Sequence, residues 1–471
     1  MKKIIALWLI FLLPTVLIAQ ANQNRSVVFK HVTVIDVKNA RTKSDMTVIV
    51  AGNRITAIGK TGKVRVGRDA EIIDARGKFL IPGLWDMHVH ALTDNRYEWV
   101  FPMLIAQGVT GIRELGNNLP IEQISLIRRE ILEGKLLGPR FGAATARILD
   151  GAGTTLNVAT AVETSEKARA IVRDYKRQGV DFIKPYNLLS REVYLAIADE
   201  SKRLKIPVEG HVPFSMSARE VSDLGQITIE HNADIFMSCS RDEEKLREEL
   251  KELVKTLPVG ARQQIETKAA RTFDERRANA LFKSFVDNDT WMCPTIIVNS
   301  VPDSESPFEM DARLKYIPAR MQERWRGELK QRRQIVPSAD DRKMRQRKRL
   351  EIVGLMQRAG VRLIAGSDTP NLYVYPGFSL HDELELLVQA GLTPAEALQT
   401  ATINAARFFG KETTLGTIEK GKLADLVLLD ANPLEDIKNT TRIAAVVANG
   451  KYFSKSELEK LLAQAEKAAG K

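Results

Sequence analysis

Between residues 84 and 369 one pattern recurs eight times: a short apolar segment that suits a strand, followed by a charged stretch that suits a helix. The strand-like segments are LWDMHVH (84–90), GVTGIREL (108–115), RFGAATARI (140–148), VDFIKPY (180–186), IPVEGHV (206–212), QITIEHN (226–232), TWMCPTIIV (290–298) and VRLIAGSDT (361–369). Stretches such as SEKARAIVRDYKRQG and SREVYLAIADESKRLK, apolar at helical spacing, lie between them. Strands joined through helices run parallel, and eight such units close a barrel. The fold class expected is α/β, a (β/α)8 TIM barrel over about 81–412.

The two flanks read differently. Residues 22–80 (SVVFKHVTVIDV, DMTVIVAGNRITAIGK, AEIIDARGKFLIPG) and 413–454 (LGTIEKGKLADLVLLDANP, IAAVVANGKYF) alternate apolar and polar residues around tight turns. A small β-sandwich module is expected from both chain ends, with the barrel inserted between its halves. His31 belongs to the first half, as a surface strand residue. Two connectors, about 241–289 and 302–360, are long, charged and helical, and are expected over or beside the barrel mouth. Residues 455–471 read as a terminal helix behind a Ser cap.

Lys2 and Lys3, a 16-residue apolar run and small residues at Ala19–Ala21 have the layout of a signal peptide over 1–21. An uncleaved anchor is the other reading of that run. Export to the periplasm or medium is expected, with no stable membrane span after signal removal. The two cysteines, Cys239 and Cys293, could pair in such a compartment but suit small core residues better. The formal charge is +11, and the basic excess sits in residues 311–350, with 14 Lys/Arg against 5 Asp/Glu. Such a block either solvates a helix face or draws anionic substrates toward the mouth. It lacks the interleaved aromatics of a nucleic-acid surface, so no nucleic-acid partner is expected.

In PGLWDMHVH the residues at i, i+2 and i+4 share a face, so Asp86, His88 and His90 point into the barrel together. A fortuitous His-x-His in a core strand is the bland reading. The other strand ends argue against it: Lys184, His211, His231 and Asp368 stand there, and four of the six histidines lie at strand ends. Catalytic side chains of such barrels gather at that face. Neutral imidazoles with a carboxylate suit divalent metal ions, and a pair of ions about 3.5–4 Å apart needs an anionic bridge. A lysine supplies one only after its amine has reacted with CO2 to form a carbamate. Without that reaction Lys184 is a strand-end ion-pair partner. Tyr186 either packs at the rim or contacts the substrate, and Arg113 is either a substrate anion binder or half of an ion pair. Asp86 is expected to back the ligands, and His381, at a helix start after Gly377, to back them or to cap that helix, rather than to touch metal.

The order PGLWDMHVH, DFIKPY, GHVP, IEHN, GSDTP, with KGKLADLVLLD in the closing β-piece, resembles the metal-dependent amidohydrolase superfamily over about 26–452. Within it the chain is most similar to exported imidazolonepropionase-like and Xaa-Pro-dipeptidase-like members with a carboxylated lysine. The resemblance implies that His88, His90 and Asp368 hold a buried ion, that His211 and His231 hold a more exposed one, and that carboxylated Lys184 bridges them. It further implies that a bridging hydroxide attacks a carbonyl while Asp368 carries the proton to the leaving nitrogen. Zinc is the first expectation, and manganese, iron or cobalt suit the same ligands. Pro185 departs from the aliphatic residue of many relatives and restricts Lys184 to extended backbone.

The function expected is hydrolysis of an amide or peptide-like C–N bond in a small molecule or short peptide: a dipeptide, N-acyl amino acid or cyclic amide. A lactonase or esterase could use the same site. A non-catalytic surface-binding protein on a degenerate barrel is a further alternative, and the full ligand set argues against it. A homo-oligomer is compatible with all three.

Overall fold

The computed structural model describes residues 25–256, 261–336 and 338–470, so the expected signal segment 1–21 lies outside the described residues. Strands from both chain ends build one eight-stranded sheet. Its path runs Lys451–Ser454, Ile443–Ala448, Leu426–Leu429, Phe79–Pro82, Val27–Asp36, Arg41–Ala51 and Arg54–Lys60, with Glu71–Asp74 also pairing with Val27–Asp36. The two halves join where Leu426–Leu429 lies antiparallel to Phe79–Pro82, with Leu428 opposite Leu80. Alternation then sorts the side chains. Phe29, Val34, Val48, Leu80, Leu426, Leu428 and Val447 close on one another in a separate apolar cluster. Ile35, Ile81, Val427, Leu429 and Val446 belong to the large core shared with the barrel. His31 is half-exposed in this sheet and paired with Asp45.

The central region is a TIM-barrel-like ring of parallel pairings. Leu84–Val89, Val109–Glu114 and Arg140–Ala144 form one ladder, and Glu209–Gly210, Thr228–Glu230 and Trp291–Cys293 form another. Single parallel bridges complete the ring: Leu149 with Pro185, Ile183 with Val208, Met292 with Leu363, and Val89 with Thr369. The segments expected as the fourth and eighth strands are therefore narrower than the sequence suggests. Pro185 has no N–H to give a ladder. At Gly366 a Cβ would lie 2.7 Å from the His88 Cβ and 2.6 Å from the Cys293 Sγ, so the eighth segment threads close past the first.

Helices cover the ring where caps and apolar spacing predict them. Thr164 caps Ser165–Gln178 by accepting from the Lys167 N–H, and Gly179 ends it in the left-handed conformation. Ser190 caps Arg191–Leu204 in the same way. The long connectors are helical: Glu243–Thr256, Ala261–Arg271 and Glu275–Asp287 in the first, Ala319–Ile335 and Ala339–Ala359 in the second. A buried ion cluster ties the two connectors together. The Asp303 carboxylate accepts from Arg345 and, at 2.5 Å, from Arg349, while Arg349 also reaches Glu266 at 3.0 Å. Arg345 and Arg349 of the basic block are thus consumed inside the protein. The terminal helix Lys455–Ala469 begins at a Ser454/Glu457 capping box and buries Leu458, Leu461 and Ala465.

Cys239 and Cys293 are both buried and free, as small core residues. Among the described residues no helix is long and apolar enough to cross a membrane.

Candidate metal centre

The strand alternation carries Asp86 and His88 to the inner face of the first barrel strand, with His90 one residue beyond its end. Asp86 is fully buried and accepts from the Ser367 N–H (2.9 Å), the Ser367 hydroxyl (2.5 Å) and the His88 N–H (3.2 Å). It thereby fastens the first strand to the eighth segment behind the ligands, and burial pushes its carboxyl up to about 7.

His88, His90, His211, His231, Lys184 and Asp368 converge. The His88 and His231 rings lie 4.9 Å apart, and the His211 and His231 rings 4.6 Å. The Lys184 Nζ is 3.3 Å from the His88 Nε2. Asp368 presents Oδ1 to the His90 Nε2 (3.3 Å) and the His88 Nε2 (3.4 Å), and Oδ2 to the His231 Nε2 (3.9 Å). His231 and Asp368 both sit at φ 66°, a left-handed conformation uncommon outside glycine. Their strands turn there, and such strain concentrates at functional sites.

Each imidazole has its Nδ1 engaged from behind. His88 Nδ1 donates to Glu230 (2.9 Å), His90 to the Gly116 carbonyl (2.7 Å) and His211 to Asn187 Oδ1 (2.9 Å), while His231 Nδ1 pairs with the Thr295 hydroxyl (2.5 Å). A proton placed on Nδ1 leaves a lone pair on Nε2, and outer-shell partners of this kind orient metal-binding histidines. Burial lowers the His88 imidazolium to about 4, and His211 and His231 fall well below the usual histidine range for the same reason. Burial opposes ionisation of Asp368, but the surrounding His88, His90 and His231 rings outweigh it and hold the carboxylate well below its ordinary range. Two acceptors, the His88 Nε2 lone pair and a carboxylate oxygen of Asp368, therefore face each other across 3.4 Å. A cation belongs between them. Ligand distances of about 2.0–2.2 Å at a tetrahedral ion separate neighbouring ligand atoms by roughly 3.3–3.6 Å, so the spacing fits a divalent metal. Burial lowers the Lys184 ammonium to about 8, against the pull of Asp368 and Glu230. The neutral amine that reacts with CO2 is thus within reach near neutral pH.

Two expectations need correction. Arg113 does not face a substrate. It is wholly buried, donating to the Met87 carbonyl (2.7 Å), Glu209 (2.7 Å), Thr228 (3.1 Å) and Glu230 (2.7 Å), so its fork is used up inside the barrel. Through Glu230 it positions His88. His381 does not back the ligands either. It ties the helix Phe378–Gln389 to Thr440 (2.9 Å) and to the Gln107 carbonyl (3.0 Å). Tyr186 lies at the rim of the centre with its ring 4.1 Å from that of His211.

Sequence reasoning did not find Glu230, Asn187, Thr295 or Asn371, whose amide donates to Asp368 at 3.0 Å. Glu230 carried a signal, an acid beside His231 in an apolar strand. Asn187 and Thr295 carried none, being ordinary polar residues in loops.

A ring of parallel pairings with four histidines and an aspartate at one end defines a TIM-barrel-like protein with a candidate metal centre. The amidohydrolase family profile matches residues 316–452. Ochratoxinase of Aspergillus niger is 41% identical over 101 residues, 20% of this chain and 20% of that protein, so this match spans only a fifth of the relative's length. Imidazolonepropionase of Fusobacterium nucleatum is 24% identical over 409 residues, covering 82% of this chain and 84% of that one. The solved structure of the bottromycin amidohydrolase superposes with a TM-score of 0.73 at 23% identity, over 97% of this chain and 94% of that one. The chain thus resembles amidohydrolases in sequence over residues 316–452 and in fold over nearly its whole length.

Proposed function

We propose that the protein is an exported metal-dependent hydrolase of amide or peptide-like C–N bonds, with two divalent ions, zinc foremost, at the barrel mouth. The observation that carries this reading is the convergence of four imidazoles and the Asp368 carboxylate at one point, with the His88 Nε2 and an Asp368 oxygen facing each other at 3.4 Å. The amidohydrolase profile and the imidazolonepropionase and bottromycin amidohydrolase likenesses support a C–N bond as the target.

In this reading His88, His90 and Asp368 hold one ion, His211 and His231 the other, and a carbamate on Lys184 bridges them. When bound, the ions supply Lewis acidity toward a carbonyl and a water of lowered pKa. Asp368, steadied by Asn371, holds a proton between attacking water and leaving nitrogen. Tyr186, beside His211, orients the substrate carbonyl with its hydroxyl. Burial and the charge of Asp368 push that hydroxyl's pKa up, so it stays a donor.

The test combines metal analysis with a panel of dipeptides, N-acyl amino acids, cyclic amides and lactones. Close to two ions per chain are expected, with hydrolysis abolished by chelation and restored by zinc or a similar ion. Full activity at less than half an equivalent of metal overturns the reading, and turnover of lactones alone moves it to an esterase.

A further inference from the structure

The strand Trp291–Cys293 leads through Pro294 into the short helix Ile296–Ser300, and Thr295 stands at the junction, as the residue that opens the helix. A threonine in that place ordinarily turns its hydroxyl back to accept from the second or third N–H of the helix. Thr295 does not. Its side chain caps nothing, its backbone sits at φ 41° and ψ 54° in the left-handed region, and it is wholly buried. The hydroxyl meets the His231 Nδ1 instead, at 2.5 Å.

The N–H groups that Thr295 leaves open are answered from another helix. Glu383, fully buried on Phe378–Gln389, accepts from the Ile296 N–H through Oε1 (2.9 Å) and from the Ile297 N–H through Oε2 (2.8 Å). Both oxygens are spent on these two groups, and among the described residues no basic side chain pairs with Glu383. Burying a carboxyl without a cation is costly. What it secures is the start of a five-residue helix, too short to hold itself. The helix that carries Glu383 is pinned in turn, by His381 to Thr440 and the Gln107 carbonyl, and by Asp382 to Arg313 at 2.7 Å. Main-chain bonds from the His231 N–H to the Cys293 carbonyl (2.9 Å) and from the Asn232 N–H to the Pro294 carbonyl (3.1 Å) fix the turn at His231, but they do not orient its ring.

We propose that Glu383 is a positioning residue for His231: it caps Ile296–Ser300 from outside, so the Thr295 hydroxyl stays free to hold the His231 ring with its Nε2 toward the centre. This rests on the two-ion reading above and adds a residue that governs the ion assigned there to His211 and His231.

The experiment titrates zinc into the metal-free protein by calorimetry, comparing wild type with Glu383→Met, Glu383→Gln and Thr295→Ala. In Glu383→Met one of the two ions should be weakened by about 10–100-fold, as when other supports of a ligand histidine are lost, while the second ion stays nearly unchanged. Glu383→Gln keeps one acceptor and should recover part of the loss. In a Thr295→Ala background Glu383→Met should cost little more, because the contact it supports is already gone. Equal weakening of both ions, no weakening of either, or full additivity with Thr295→Ala overturns the proposal while leaving the two-ion reading intact. If wild type binds fewer than two ions, that reading fails, and the proposal is decided by nitrogen NMR of the histidines in metal-free protein. There the His231 proton should stay on Nδ1 in wild type and spread over both ring nitrogens in Glu383→Met, and the same tautomer in both overturns it. Should Glu383→Met fail to fold, Glu383→Gln decides by the same measurements.

Discussion

Two buried ionic clusters lie within this protein, and they differ in what they leave undone. In the connector cluster, Asp303 and Glu266 meet Arg345 and Arg349 fork to carboxylate, and each of these charges is answered by protein. In the barrel centre the supporting contacts are as complete, from Arg113 through Glu230 to the His88 Nδ1. The atoms that face inward are less completely answered: the His88 Nε2 looks at the Asp368 carboxylate across 3.4 Å, with the Lys184 Nζ 3.3 Å from that nitrogen. Burial of charge is thus no sign of function in itself. The sign is a set of acceptors from several strand ends oriented toward one another.

The sharpest break of this comparison is removal of an inward group. Asp368→Asn should lower kcat by about 10²–10⁴-fold, the range of a lost proton carrier, and metal analysis should show the buried ion weakened. A variant that keeps wild-type kcat would remove Asp368 from the chemistry. Lys184→Ala should lose the bridged metal pair, with a short carboxylic acid restoring part of the activity. Unchanged activity there makes Lys184 an ion-pair partner only.

Pushing from behind should cost less. Glu230→Gln is expected to weaken metal affinity or activity by about 10–100-fold, as for other groups that orient a ligand histidine. Metal titration checks it, and unaltered affinity would mean that His88 needs no support from Arg113 and Glu230.

The connector cluster should respond in the opposite currency. Asp303→Asn leaves two buried guanidiniums short of a carboxylate and should destabilise the fold by about 3–5 kcal/mol. Denaturant melts measure this, while turnover of a neutral amide per metal-loaded molecule should stay within about threefold. A large loss of turnover with no loss of stability would make the two clusters one functional unit.

Carbamate formation gives a gentler test. The Lys184 ammonium titrates at about 8, so below that pH most of the amine is protonated and unreactive toward CO2. Reactivation of metal-free protein by zinc should quicken as pH rises toward 8, level off above it, and be hastened by bicarbonate. A rate independent of both speaks against the carbamate.

The smallest effect concerns the exposed remainder of the basic block. Arg345 is sealed in the cluster, Lys348 pairs with Glu351 at 2.7 Å, and Arg347 lines a separate cleft of about 1000 Å³ with Lys343 and Leu386. Arg347→Glu should change kcat/KM for an anionic dipeptide at low salt by about twofold or less, since an exposed charge contributes little. A larger, salt-sensitive loss would revive long-range steering by this block.

Periodicity was legible from the chain alone, because it follows from bond geometry. A period of two sends Asp86, His88 and His90 to one face, and alternating strand and helix segments have few ways to pack, so the barrel-like core and the convergence of the strand ends could be anticipated. The same local logic places Thr164 and Ser190 as helix caps. Partners across the ring were a different matter. Arg113 could have faced substrate as readily as Glu209 and Glu230, and only closure of the barrel brings those carboxylates, 96 and 117 residues away, onto its fork. His381 looked like support for the centre and is instead claimed by Thr440, 59 residues on. Asn187 and Thr295 became supports of His211 and His231 because two loops end where those rings turn. Which face a side chain takes is set by neighbouring bonds, so the sequence determines it. What the side chain meets there depends on segments far along the chain, and that was decided by the tertiary structure.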